Sequence, residues 1–359
     1  MVNRILVLHD NTKYTLRYLF PLLRNTELLR DFGFHLAARH YDCWTEEDES
    51  DYCIITHDCL ENEEQNVRLS ALVALRNKCN KLIWLDTSDS TGTPVFDVLP
   101  FVDVYLKKQL LKDKTLYTEQ LYSLRYFSDY YHKNYGVLDP EIPQRVVLDL
   151  RFKDKLKLAW NILICDVPSR RSLGDRLKDA LSLGRSYHFV SPQRKRPHDI
   201  SFRGSMEYIP SVSYQRERIL ELLRSRKDIT YPEIGKVISQ QQYFHELQDS
   251  RCVISPFGWG EICWREAECW INGAALLKPD MSHLETWPDL FVEGETYEPI
   301  RWDFLNLDSI LDKIMQDKSR YLEIASCGQE LYKRYMARSG DVMLIEHFLK
   351  QISYTKSTS

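Results

Sequence analysis

The residues best suited to chemistry gather between Tyr243 and Leu277, in the stretch YFHELQDSRCVISPFGWGEICWREAECWINGAALL. An apolar run ends at Pro256-Phe257-Gly258-Trp259-Gly260, and the spacing predicts a helix from Ile262 to Ile271 that carries Arg265 and Glu268. Backbone N–H groups, the positive end of a helix dipole and a guanidinium at the carboxyl edge of a strand form a corner that suits a pyrophosphate. Gly258 and Gly260 fit there because a Cβ would hold the chain away from phosphate oxygens. Arginine adds a planar fork of donors that lysine does not copy. Glu268 follows on the same helical face, placed to accept hydrogen bonds from ribose hydroxyls. Gly273 reads as the helix C-cap. Taken alone, the motif also fits a glycine turn with a surface Arg–Glu pair, and Trp259 and Trp264 fit loop packing as well as base stacking.

These residues need elements to hold them. A chain of 359 residues exceeds one ordinary core, so two domains are expected. Short apolar runs at Arg4–Leu8, Tyr52–Thr56, Lys81–Leu85 and Val102–Leu106 alternate with helical spacing over Tyr14–Arg30 and Arg68–Lys78. Alternation of this kind predicts a parallel sheet, because parallel neighbours require crossover connections. A second alternating block begins at Asp199-Ile200-Ser201-Phe202-Arg203-Gly204-Ser205, with helices expected over Tyr214–Arg226 and Gln240–Gln248 and strands at Cys252–Ser255 and Ala274–Leu277. The reading is an α/β chain of two Rossmann-like parallel-sheet domains facing across a cleft. It divides into an N-terminal domain over 1–135, an interdomain region over 136–198, a C-terminal ligand-binding domain over 199–335, and a C-terminal helix and tail over 336–359. Residues Ser186 to Asp199 read as a loop whose charge cluster, Arg194, Lys195 and Arg196, is a solvated surface rather than a ligand contact.

Several classes are disfavoured. The first block lacks Gly-x-Gly-x-x-Gly, which argues against a dinucleotide dehydrogenase. A net charge of −4 and a pI near 6.2 give no global reason to bind nucleic acid. The nine cysteines form no CxxC pair and are expected to be reduced. Neither a signal peptide nor a run of about 20 apolar residues is present, so a cytoplasmic location with no transmembrane segment is expected.

The spacing Gly258-x6-Arg265-x2-Glu268-x4-Gly273, after the strand Ser250-Arg251-Cys252-Val253-Ile254-Ser255-Pro256, resembles the nucleotide-sugar region of exostosin-like glycosyltransferases. The Phe202-x-Gly204 strand, followed by a helix with Arg216 and Arg218, resembles that family's phosphate-side elements, and the likeness runs over roughly Ile200 to Asp303. The chain differs in carrying Glu261-Ile262-Cys263-Trp264 where the family often has small polar residues. The resemblance implies a GT-B fold and inverting hexosyl or pentosyl transfer from a UDP- or GDP-sugar to a glycan acceptor. It implies that Arg265 binds the diphosphate and Glu268 the ribose. Gly258, Trp259, Gly260, Arg203, Gly204, Arg216 and Tyr297 complete the expected donor site, and Lys278, Asp280 and Met281 are expected to face the sugar.

Inverting transfer needs a general base and positive charge at the leaving group. The candidate bases follow first-domain strands: Asp86 and Asp89, ranked first, then Asp10 and His57, with Asp58 beside it. Lys107 and Lys108 read as a solvated pair, or as contacts for an anionic acceptor or the departing phosphate. No Asp-x-Asp triplet of the metal-binding kind appears, so no cofactor beyond the donor is expected. Two alternatives remain: a non-catalytic nucleotide-sugar or glycan-binding module of the same fold, and a retaining GT-B enzyme using Glu261 and Glu268 as its paired glutamates.

Overall fold

In the first sheet the inner strands alternate their side chains between two buried faces. Ile5 and Val7, Ile54, and Ile83 and Leu85 pack on one side, while Leu6 and Leu8, Cys53 and Ile55, and Leu82 and Trp84 pack on the other. Burial on both faces explains why these strands read as continuous apolar runs. The computed structural model describes residues 2–45, 48–140, 144–165, 187–234 and 236–353; parts of the expected interdomain region (141–143, 166–186) and the end of the tail (354–359) lie outside them.

The first lobe is built from β1 (Asn3–His9), α1 (Lys13–Leu23), α2 (Thr26–Asp31), β2 (Phe34–His40), β3 (Ser50–Thr56), α3 (Gln65–Arg76), β4 (Cys79–Asp86) and β5 (Val104–Lys107). A short strand β6 (Gln109–Leu111), a helix α4 (Tyr126–Tyr135) and β7 (Leu156–Leu158) follow. All of these strands but β6 form one parallel sheet in the order β2-β1-β3-β4-β5-β7. The order reverses at β1, which opens a crevice at the carboxyl ends of β1 and β3. The helix expected over Tyr14–Arg30 is two helices, separated at Arg24 and Asn25. β2 was not anticipated, because as an edge strand it is largely exposed and polar.

The second lobe runs through β8 (His198–Phe202), α5 (Pro210–Ser225), α6 (Gln240–Asp249), β9 (Ser250–Ile254), α7 (Trp264–Ile271), β10 (Ala275–Pro279), β11 (Leu284–Thr286) and β12 (Glu298–Ile300). Its parallel sheet is ordered β12-β10-β9-β8. These are two Rossmann-like parallel-sheet lobes, as expected from the sequence. The lobes are stitched by an antiparallel ribbon in which β6 of the first pairs with β11 of the second, Leu111 opposite Leu284.

Three helices close the chain: α8 (Leu307–Gln316), α9 (Lys318–Met336) and α10 (Arg338–Ile352). α10 returns to the first lobe, where Asp341 accepts from Arg24 at 2.9 Å and His347 donates to the carbonyls of Leu158 and Ala159 at 3.0 and 2.8 Å. Among the described residues no helix is long and apolar enough to cross a membrane.

Arg196, in the loop expected to be solvated, is buried. Its guanidinium donates to the carbonyls of Leu247, Ser250, Asn272 and Gly273 at 2.7–3.0 Å. It gathers carbonyls at the C-terminal ends of two helices, Gln240–Asp249 and Trp264–Ile271, and at the start of the strand Ser250–Ile254. Gly273 sits against it at φ +68°, where a Cβ would lie 2.3 Å from the Val190 carbonyl.

Candidate functional site

The corner after β9 is held by a buried ion pair. Glu266 accepts from Lys278 Nζ at 2.7 Å, from Ser255 Oγ at 2.6 Å and from the Cys263 N–H at 2.6 Å, and both charged side chains are fully buried. This joins the first turn of α7 to the ends of β9 and β10. Lys278 is thereby committed to Glu266 and fully buried.

Above this base, Arg265 donates Nη1 to Ser255 Oγ at 3.3 Å. Arg216, from α5, packs against Gly204, where a Cβ would lie 3.3 Å from its Cδ and Nε. It lies 4.2 Å from the centre of the Tyr208 ring and donates to the Ser205 carbonyl, while its buried Nε has no partner. Burial first, then the positive charge of Arg265, lowers the Arg216 pKa. Neither guanidinium has a carboxylate within ion-pair distance among the described residues, although the charges of Glu266 and Glu268 lie near enough to help raise the Arg265 pKa against burial; two like charges approach one another at the carboxyl edge of a parallel sheet. An anion between them would relieve the repulsion.

Glu268 accepts from Tyr243 Oη at 2.8 Å, and burial pushes its pKa up to about 7 despite that hydrogen bond and the charge of Arg265. Tyr243 lines a groove of about 760 Å³ with Phe202, Arg203 and Gly204. Arg203 itself is engaged by Glu246 at 2.6 and 2.8 Å. The Gly258 backbone is open, and its N–H donates to the Gly260 carbonyl at 3.0 Å. Tyr297 lies in the core, 1% exposed, where its hydroxyl accepts from the Met281 N–H at 3.2 Å.

On the first lobe the candidate bases separate by environment. Asp86 is fully buried and accepts from Lys107 at 3.1 Å, from Tyr105, and from the Ser88 N–H and Oγ. Burial opposes its ionisation, but Lys107 and the His57 charge outweigh it, so its pKa is lowered. Asp86 therefore organises the loop from inside. Asp10 closes the turn after β1, accepting from the Thr12 N–H at 3.3 Å. Asp89 and His57 line one interlobe cleft of about 440 Å³, with Tyr14, Asp58, Arg125 and Trp259.

Asp89 Oδ1 accepts from Lys108 at 2.7 Å and Tyr14 at 2.8 Å, and its side chain is 42% exposed. Burial resists its charge, yet Lys108 and these hydrogen bonds prevail and hold the carboxyl below its usual range. Burial alone would lower the His57 imidazole, but Glu61 at 3.6 Å and the charges of Asp86 and Asp58 leave it raised. Lys107 and Lys108 are not a solvated pair: both are buried and each is matched to an aspartate, which is how a buried lysine stays charged.

Glu261 joins the lobes. It is fully buried in the second lobe's corner and accepts from Ser90 Oγ (3.1 Å), Thr91 N–H (3.0 Å), Thr91 Oγ1 (2.6 Å) and Gln109 Nε2 (2.7 Å) of the first. Sequence reasoning missed this role, and also Tyr14, Arg125 and Tyr243. The signal available was the cluster Ser90-Thr91 in the loop after β4, two hydroxyl donors directly following Asp89.

No family profile and no curated protein matches the sequence. Among solved structures the chain is similar to an alpha-glucosyltransferase in complex with UDP (8% identity, TM-score 0.49, covering 98% of this chain and 100% of that one). It is also similar to a glycosyltransferase from Rickettsia africae (8%, 0.48, 99% and 100%) and to Anabaena HepE in complex with UDP-glucose (11%, 0.46, 97% and 99%).

Proposed function

We propose that the chain transfers a glycosyl group from a nucleoside-diphosphate sugar to a glycan acceptor, with inversion and without a metal ion. The observation that carries this is the pair Arg216 and Arg265, unpaired with carboxylates among the described residues and meeting where Gly204 leaves room. In this reading the diphosphate lies between the guanidiniums, the ribose meets Glu268, and the uracil or guanine occupies the groove beside Tyr243. The likeness to exostosin-like enzymes belongs to the same proposal and rests on the Gly258 to Gly273 spacing.

Asp89 is the base in this scheme. Its Oδ2 takes the proton of the acceptor hydroxyl while that oxygen bonds to the anomeric carbon. The bond from the anomeric carbon to the diphosphate breaks, and its electron pair leaves with the phosphate facing Arg216 and Arg265. A retaining paired-glutamate role is disfavoured because Glu261 spends both carboxylate oxygens on the first lobe. A binding module without catalysis is the second reading, and turnover separates the two.

Thermal shift with UDP and GDP, followed by nucleoside-diphosphate release from their sugars, tests the proposal. The expected result is a rise in Tm with one nucleotide that Arg265→Ala and Arg216→Ala each abolish. Unaltered nucleotide affinity in both variants would remove the basis of the reading.

A further inference from the structure

We propose that the interlobe cleft receives a neutral saccharide ring, laid on Trp259 and read by Asp58 and Glu61, and that it rejects uronic acids and sugar phosphates. This rests on the acceptor entering from the first lobe, and it names the acceptor's chemical class.

Trp259 is 45% exposed and yet fixed in place. The Arg125 guanidinium stands 5.0 Å from its ring centre, and Arg125 Nε donates to the Trp259 carbonyl at 3.0 Å. Tyr208 braces it from the second lobe with 5.5 Å between ring centres. A rigid, accessible aromatic plate suits the C–H face of a pyranose, because apolar area is buried at little entropic cost.

The remaining wall is made of acceptors. Asp58 Oδ2 takes hydrogen bonds from Thr15 at 3.1 Å and from Thr87, while Oδ1 receives none from the described residues. Glu61 is 56% exposed and lies 3.6 Å from His57. Ionised carboxylates only accept, so the ligand must bring donors, and sugar hydroxyls do. An acidic ligand would instead meet Asp58, Glu61 and Asp89 as like charges.

The cations nearby already have partners. Lys108 is matched to Asp89, His57 faces Glu61 at 3.6 Å, and Arg125 donates to two backbone carbonyls while its face lies on Trp259. At about 440 Å³ the cleft falls within the usual range for small-ligand sites.

The test is saturation-transfer NMR on the full chain with UDP or GDP present, whichever raises Tm, using methyl glucoside, methyl galactoside and maltose against glucuronate and glucose 6-phosphate. The neutral probes are expected to receive saturation, to weaken about tenfold or more in Trp259→Ala and Asp58→Asn, and to persist in Trp259→Phe. Glucuronate or glucose 6-phosphate binding as well as the neutral sugars would overturn the proposal. So would neutral binding that is indifferent to Trp259→Ala, or no saccharide binding while the nucleotide still stabilises the chain. Failure of the nucleotide itself would instead strike the donor-site reading.

Discussion

Gly260 and Asp89 touch through their backbones: a Cβ on residue 260 would lie 2.0 Å from the Asp89 carbonyl oxygen. The glycine is therefore required for the approach of one lobe to the other, and the corner after β9 and the loop after β4 form a single contact. Gly260→Ala is expected to force this contact apart, lowering Tm and slowing turnover together. Unchanged thermal melting would show that the seam yields without cost.

Glu261 secures the same contact by hydrogen bonds alone, with no cation opposite it within ion-pair distance among the described residues. Glu261→Ala strands buried donors on Ser90, Thr91 and Gln109, at a cost of about 1–3 kcal/mol for each group left unsatisfied. Urea unfolding should show a loss of a few kcal/mol, with Glu261→Gln falling between it and the wild type because its amide oxygen still accepts.

Asp86 and Asp89 should part in their phenotypes. Asp86→Asn leaves Lys107 buried without its counter-charge and is expected to destabilise by about 3–5 kcal/mol. Asp89→Asn also takes the counter-charge from buried Lys108, but at a half-exposed carboxylate where solvent helps, so it should destabilise less and lower kcat by about 10² to 10⁴ while nucleotide affinity holds. Denaturation curves and initial rates measured on the same preparations distinguish the two.

Glu268 makes stability depend on pH. Its pKa is raised from an ordinary 4.5 to about 7 in the folded chain, so between those values the folded state holds a proton that the unfolded state has released. The stabilising contribution is complete below about pH 4.5 and is lost as pH rises through 7, at up to about 1.4 kcal/mol per unit. Glu268→Gln should flatten the dependence of the urea midpoint over that range. Filling the nucleotide site should shift it as well, if ribose hydroxyls hydrogen-bond the carboxylate.

Much of this fold was legible because strands buried on both faces write themselves as apolar runs, as in Lys81–Leu85. The glycine corner was legible because loop chemistry shows in residue type: Gly258, Gly260 and Arg265 have few uses in common. Long-range pairing was not. β6 and β11 are three residues each and find one another across the chain, so neither carries a period of its own. Lys107 and Lys108 looked solvated because charge is usually outside, and only the fold brings Asp86 and Asp89 within reach. Glu261 was misjudged for the same reason: its partners Ser90, Thr91 and Gln109 stand far away in sequence.

The return of α10 to the first lobe bears on how the molecule is made. His347 and Asp341 complete contacts with Ala159 and Arg24, segments synthesised much earlier. A ribosome-bound chain therefore exposes an unfinished apolar surface beside α1 and α2 until residue 352 has emerged, so the first half waits on the last for its final packing. Cutting the gene between the sheets would yield two fragments, each lacking a piece the other encodes.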